Sequence, residues 1–227
     1  MLLVLFDVDK TLFMTSDRLM GQATTDAIDA VWGLKLPADA IRGVDHAGQT
    51  ATRITREMLR ADGLNDDEIT PLLGRWCEEV SKRYLELLAD ADTSHWAAAE
   101  GAAEVLPHIE HRALLTGNPE PVARARMERI GLADLFPPGQ GAFGCEAEER
   151  AELIDIARVK AGGWPRERTV AVGDTPADIK GARAAGIKVV GFGAGLEDAD
   201  AVIERMDELP AVLAQLTLNT KFGFNES

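Results

Sequence analysis

Five short apolar runs set the first constraint on this chain: LLVLFDV from residue 2, RALLTGN from 112, GAFG from 141, TVAVGD from 169 and IKVVGFG from 187. Their apolar residues are nearly continuous instead of alternating, which is the pattern of strands covered on both faces in a parallel sheet. Helical patterns separate them. PVARARMERIGL follows the second run, AELIDIARVKAGG precedes the fourth, and ADIKGARAAG joins the fourth to the fifth and stops at a glycine, as helices commonly do. Strands alternating with helices predict right-handed βαβ units and an open α/β fold with a Rossmann-like parallel sheet core.

Residues 14–89 break that rhythm, with helical signals and no convincing strand. Ala23, Ala27, Ile28 and Val31 mark one amphipathic helix. In NDDEITPLLGRWCEEVSKRYLELLAD a second stripe runs through Ile69, Leu72, Leu73, Trp76, Val80, Tyr84, Leu87 and Leu88, with Asn65 or Asp66 as its cap. The expected organisation is a core domain of residues 1–13 and 90–227, with a helical cap domain, 14–89, inserted after the first strand. The insert belongs over the carboxyl ends of the strands, where open α/β sheets bind ligands. The tail TLNTKFGFNES carries no pattern and is expected to be loose.

Composition narrows the partners. At 227 residues and 46% hydrophobic, the chain holds one core, or a core with an insert. A net charge of −14 argues against nucleic acid and anionic membranes but leaves small anionic substrates open. No stretch approaches the roughly 20 apolar residues of a membrane span. The N-terminal run is interrupted by Asp7 and lacks the basic lead-in of a secretory signal. Cys77 and Cys145 are too few for a disulfide framework or a thiolate metal site. They are expected to be reduced and inert in a cytoplasmic protein.

The first strand ends in Asp7 and Asp9, and the fourth in Asp174 with Asp178 four residues on. Each pair has a plain reading: solvated turn acids at the first, a helix cap and first-turn acid at the second. In a parallel sheet, however, these strand ends share one side. Four converging carboxylates repel unless a divalent cation compensates, and all-oxygen ligands favour Mg²⁺ over zinc. A third strand end, ALLTGN, adds the Thr116 hydroxyl and the backbone of Gly117 and Asn118, able to present N–H groups to an anion. GFGAG at 191–195 follows the last strand and is not a dinucleotide fingerprint.

Taken in order, DVDKT, LLTGN, a basic residue and GDTPAD resemble the haloacid dehalogenase superfamily over nearly the whole chain. The insert is placed like that of its phosphoglycolate-phosphatase-like branch. The resemblance implies a phosphatase in which Asp7 attacks phosphorus and Asp9 serves as general acid and then base. Thr11 would brace the loop and Thr116 would bind a phosphate oxygen. Mg²⁺ would be held by Asp7, the Asp9 carbonyl, Asp174 and Asp178. Two positions depart from the family. Its third motif is usually a lysine, and with Lys160 too far along its helix the phosphate-binding cation is assigned to Arg150. Lys10 stands where related phosphatases often have glycine.

A carboxylate at position 9 favours phosphoryl chemistry over dehalogenation. The expected substrate is a small phosphorylated metabolite. In related capped phosphatases a segment like RGVDHAGQTATRI faces the active site, so Asp45, His46, Gln49 and Thr50 are candidate selectors; local capping of a helix is the alternative. A phosphomutase acting on a sugar phosphate, and a non-catalytic binding module on the same fold, are the rival readings.

Overall fold

A computed structural model of the chain describes residues 1–37 and 40–222. Six parallel strands form one sheet in the order β3-β2-β1-β4-β5-β6. They are β1 (Leu3–Phe6), β2 (His111–Thr116), β3 (Ala142–Phe143), β4 (Thr169–Gly173), β5 (Lys188–Phe192) and β6 (Ala201–Ile203). The helices are α1 (Leu19–Trp32), α2 (Ala51–Ala61), α3 (Asp66–Ile69), α4 (Leu73–Ala89), α5 (Ala102–Val105), α6 (Glu120–Arg129), α7 (Arg150–Lys160), α8 (Pro176–Ala185) and α9 (Leu209–Phe222). The expected α/β class and all five expected strands are present. β6 is an addition to those five, because an apolar run of only three residues is too short to mark a strand.

β1 lies between β2 and β4, with Leu3 opposite both His111 and Thr169. Successive side chains of a strand point to opposite faces. Val4 and Phe6 therefore join Leu114, Val170, Met127 and Leu209 in the core on one face. Leu3 and Leu5 join Leu115, Ala171, Leu153 and Ala182 on the other. Both faces are covered, which is why the strand sequences show no polar alternation.

A third apolar cluster belongs to α1, α2 and α4, built from Ala23, Ala27, Ile28, Met58, Leu59, Trp76, Val80 and Tyr84. Val122 of α6 enters it, and Ala125 and Cys145 pack against it. The second stripe starts at Asn65, whose side chain caps Asp67 and Glu68 while Glu68 reaches back to the Asn65 N–H. It is not one helix. Pro71 lacks an N–H, and the chain passes through a tight turn at Thr70–Leu72 before α4 begins.

Two expectations are corrected. Residues 217–222 are not loose but complete α9, which the weak polar–apolar pattern did not announce; residues 223–227 lie outside the described residues. Cys77 and Cys145 are joined in a disulfide, with Cα atoms 6.1 Å apart and 68 residues between them in sequence. Spacing carried no hint of this. Only the seating of α4 against the loop after β3 brings the two sulfurs together.

Candidate active site

The carboxyl ends of β1, β2 and β4 open into a cavity of about 980 Å³, roofed by α1, α2 and the loop before α2. Asp7 leaves β1 with its N–H still donating to the Val172 carbonyl in the β4 register. The chain then turns tightly, with Leu12 and Phe13 N–H both donating to the Val8 carbonyl. Within that turn Lys10 takes φ +60°, a left-handed conformation that costs a side-chain-bearing residue about 1–2 kcal/mol. That is the physical reason glycine suits the position. Lys10 Nζ donates to the Met14 carbonyl at 3.1 Å and lies at the cavity wall.

Asp7, Asp174 and Asp178 offer carboxylate oxygens that all lie within 4.8 Å of one another. Asp178 is fixed by the start of α8: Thr175 N–H and Oγ1 both donate to it, and Thr175 Oγ1 accepts from the Asp178 N–H. Gly173 is required there, since a Cβ would strike the Asp178 carboxyl. Arg150, at the first turn of α7, donates through Nη2 to Asp7 Oδ1 at 2.7 Å and to the Leu115 carbonyl, and pairs with Asp178 Oδ1. Its stem passes over Gly181 of α8, where any Cβ would crowd it. Lys160 instead pairs with Glu146, away from this cluster.

Burial, then the neighbouring Asp178 charge, pushes Asp7 well above the usual carboxylate range despite Arg150. Burial and Asp178 likewise raise Asp174 to about 6. Burial works against the charge on Arg150, but Asp178 and Asp7 outweigh it and hold the guanidinium protonated. Three crowded carboxylates sharing one cation, with oxygen donors alone, are a donor set that suits a hard divalent ion.

Asp9 sits apart from this cluster. Arg126 Nη1 donates to both its oxygens at 2.9 and 3.2 Å, and Asn118 Nδ2 to Oδ2 at 2.6 Å. Arg126, only 3% exposed, also donates to Asp17 Oδ2 at 2.8 Å and to the Tyr84 hydroxyl, which itself donates to Asp17. Asn118 is anchored in turn by Nδ2 and N–H bonds to Thr116 Oγ1. Sequence reasoning missed Arg126, Asp17 and Tyr84. The available signal was an arginine where α6 should carry an apolar residue, four positions after buried Val122 and beside buried Met127.

The candidate selectors separate. His46 and Gln49 line the cavity; Asp45 does not, and is exposed. Thr50 is also absent from the wall. It caps α2, accepting from the Arg53 N–H and donating to the Glu148 carbonyl, so the capping alternative describes it. Thr11 is fully buried, and its hydroxyl meets no partner among the described residues. Gly117 acts through its small size: its carbonyl accepts from the Ala51 N–H at 2.7 Å, and a Cβ on it would strike the Gln49 carbonyl.

The model of one family, the haloacid dehalogenase-like hydrolases, matches residues 1–186. A phosphoglycolate phosphatase from Chromobacterium violaceum is 26% identical over 196 residues, covering 86% of each chain. The solved structure of CbbY from Rhodobacter sphaeroides in complex with phosphate superposes with a TM-score of 0.66 at 19% identity, over 92% of this chain and 96% of that one. A putative beta-phosphoglucomutase from Thermotoga maritima gives 0.56 at 20% identity, over 95% and 99%. The structural likeness at these identities carries the fold; the family match spans most of the sequence, strand ends included. The chain belongs to the haloacid dehalogenase-like hydrolases.

Proposed function

We propose that this enzyme is a Mg²⁺-dependent phosphatase that hydrolyses a small phosphorylated metabolite in the cytoplasm, with residues 14–89 serving as a cap over a core of residues 1–13 and 90–227. The observation that carries this reading is the placement of Asp7: buried, paired to Arg150 and crowded by Asp174 and Asp178 at the floor of the cavity. A carboxylate can approach a phosphate dianion only where cations neutralise both.

In this reading an Asp7 oxygen attacks phosphorus as the bond to the leaving oxygen breaks, and Asp9 gives that oxygen a proton. Water then attacks the aspartyl-phosphate, Asp9 takes its proton, and inorganic phosphate departs. Arg126 and Asn118 hold Asp9 in place for both transfers. Thr116, the Gly117 and Asn118 backbone, and Arg150 bind phosphate oxygens; Arg150 brings a planar guanidinium where the family usually has a lysine point charge. Asp7, Asp174, Asp178 and the Asp9 carbonyl would hold the ion, which when bound supplies charge neutralisation for nucleophile and phosphate.

The leaving group would face the helical wall. There Thr55 Oγ1 and Trp76 Nε1 are buried without a partner among the described residues, and an unsatisfied buried donor costs about 1–3 kcal/mol. A substrate oxygen would satisfy them, so these two join His46 and Gln49 as selectors. Phosphoglycolate, which names one relative, and xylulose-1,5-bisphosphate, found in complex with a CbbY mutant, define the first panel. Release of inorganic phosphate from that panel, dependent on Mg²⁺ and lost with chelator, is the expected result; isomerisation without phosphate release would favour the phosphomutase reading that the Thermotoga neighbour suggests. Binding without any turnover would favour the non-catalytic one.

A further inference from the structure

We propose that the Cys77–Cys145 disulfide is a reversible redox site that locks the cap against the core, so that the oxidised enzyme is held closed and the reduced enzyme opens for substrate exchange. The idea rests on the cap-and-core reading above.

The two cysteines lie on opposite sides of the boundary between the proposed cap and core. Cys77 is on α4, and Cys145 is on the loop between β3 and α7 that leads into Arg150. The chain itself joins the two parts at 14–18 and 90–98, where Phe13 pairs with Ala98 and stacks edge-on with Trp96. α4 ends at Ala89, and Cys77 lies twelve residues earlier, about 18 Å up the helix axis at 1.5 Å per residue. The disulfide is therefore a third tie, placed at the end of the lever away from the chain connections.

Around it the polar contacts are reversible, and they run beside the apolar packing of Val122 into the helical cluster. The free N–H groups that begin α2 are satisfied by core carbonyls: Ala51 by Gly117, and Thr52, through N–H and hydroxyl, by Gly144. Arg56 pairs with Glu148 and Arg53 with Glu149 at the rim. When the cap lifts, water replaces each of these bonds at small net cost. The S–S bond has no such substitute. Both cysteines are half-buried, within reach of an attacking thiolate.

The chemistry balances with a dithiol reductant. A reductant thiolate attacks one cysteine sulfur, the other leaves as thiolate and takes a proton, and the second reductant thiol resolves the mixed disulfide. Two electrons pass to the protein, which gains two thiols, and the reductant ends as a disulfide. In reducing compartments such bonds are commonly transient and regulatory, which suits a site across a moving boundary better than a permanent staple.

The test uses the full chain, oxidised with oxidised glutathione or reduced with dithiothreitol, the cross-link being verified by mass. Hydrogen exchange at residues 50–53 and 143–149, and turnover of p-nitrophenyl phosphate with Mg²⁺, are then compared. The expected result is at least tenfold faster exchange and at least tenfold higher turnover in the reduced form. Cys77→Ser and Cys145→Ser should each match the reduced form and ignore dithiothreitol. Equal exchange in the two forms overturns the lock, and so does equal, measurable turnover. Faster exchange on reduction with no phosphate released in either state would leave the lock standing and sink the phosphatase reading instead.

Discussion

The two acidic centres of the cavity, one around Asp7 and one around Asp9, are stabilised in opposite ways. Asp7 lies among elements of the sheet and its flanking helices: β1 supplies it, α7 its arginine, and the turn into α8 its acidic neighbours. It is deeply buried and over-supplied with negative charge, which burial and Asp178 express by pushing it upward. Asp9 is half-exposed, and its partner Arg126 is shared with Asp17 and with Tyr84 of α4. The first centre draws its charged groups from the sheet, α7 and the start of α8, and touches the helical segment where Arg150 Nη1 donates to the Gly48 carbonyl. The second takes Asp17 and Tyr84 from the helical segment, so it leans on the seating of that segment more than the first does.

The sharpest way to break that contrast is to remove the Asp7 carboxylate. Asp7→Asn should reduce phosphate release by at least about 10³-fold while thermal melting moves only a few degrees; retained turnover would end the assignment. Arg150→Met should lose activity as well, and destabilise by about 3–5 kcal/mol in urea titrations, because it leaves Asp7 and Asp178 buried without a cation. Unchanged stability would mean the carboxylates are neutral in the folded chain.

At the Asp9 centre the expected effect is selective. Tyr84→Phe removes a hydroxyl between Arg126 and Asp17 without touching Asp7. It should slow an alkyl phosphate, whose leaving group needs a proton, by about tenfold, and barely alter p-nitrophenyl phosphate, whose leaving group does not. Equal losses on both substrates would dissolve the distinction between the centres.

Metal binding sharpens the other side. Asp174 is raised to about 6 in the folded chain, from an ordinary value near 3.8. Between those two values the metal-free folded state holds more protons than the unfolded one, so this group makes stability fall as pH rises through that window. An ion in the cluster relieves the repulsion, and protons compete with it below about pH 6. Saturating Mg²⁺ should therefore raise the melting temperature more at pH 7.5 than at pH 5; the reverse order would argue against these carboxylates as the ligands. The smallest effect belongs to Lys10→Gly, which relieves the left-handed strain at φ +60° and should shift stability by about 1 kcal/mol or less, leaving kcat within a few-fold.

Much of the Asp7 centre was legible because strand ends in a parallel sheet lie on one side, and an acidic residue after an apolar run marks such an end. Asp7, Asp174 and Asp178 could be gathered on that rule alone. Arg150 needed the resemblance to a family, since nothing local distinguishes it from an exposed arginine; its burial beside Gly181 is a long-range fact. The Asp9 centre was only half readable. Asn118 came with the β2 end, but Arg126, Asp17 and Tyr84 come from three places with no shared motif, and each looks ordinary where it stands. Thr50 admits two readings in the sequence because a helix cap and a ligand-facing hydroxyl have the same signature, and its side chain caps α2.

Local chemistry determined the elements themselves: continuous apolar runs made strands, Asn65 and Thr175 opened helices, and Gly186 closed one. Those outcomes depend on neighbours within a few residues, and a sequence prints its neighbours. What only the tertiary structure decided is everything that depends on where the helical segment comes to rest: the arginine that holds Asp9, the buried polar wall at Thr55 and Trp76, and the bond between Cys77 and Cys145. These arise from surfaces meeting across tens of residues, where steric fit and desolvation choose the partner, and no spacing along the chain encodes them.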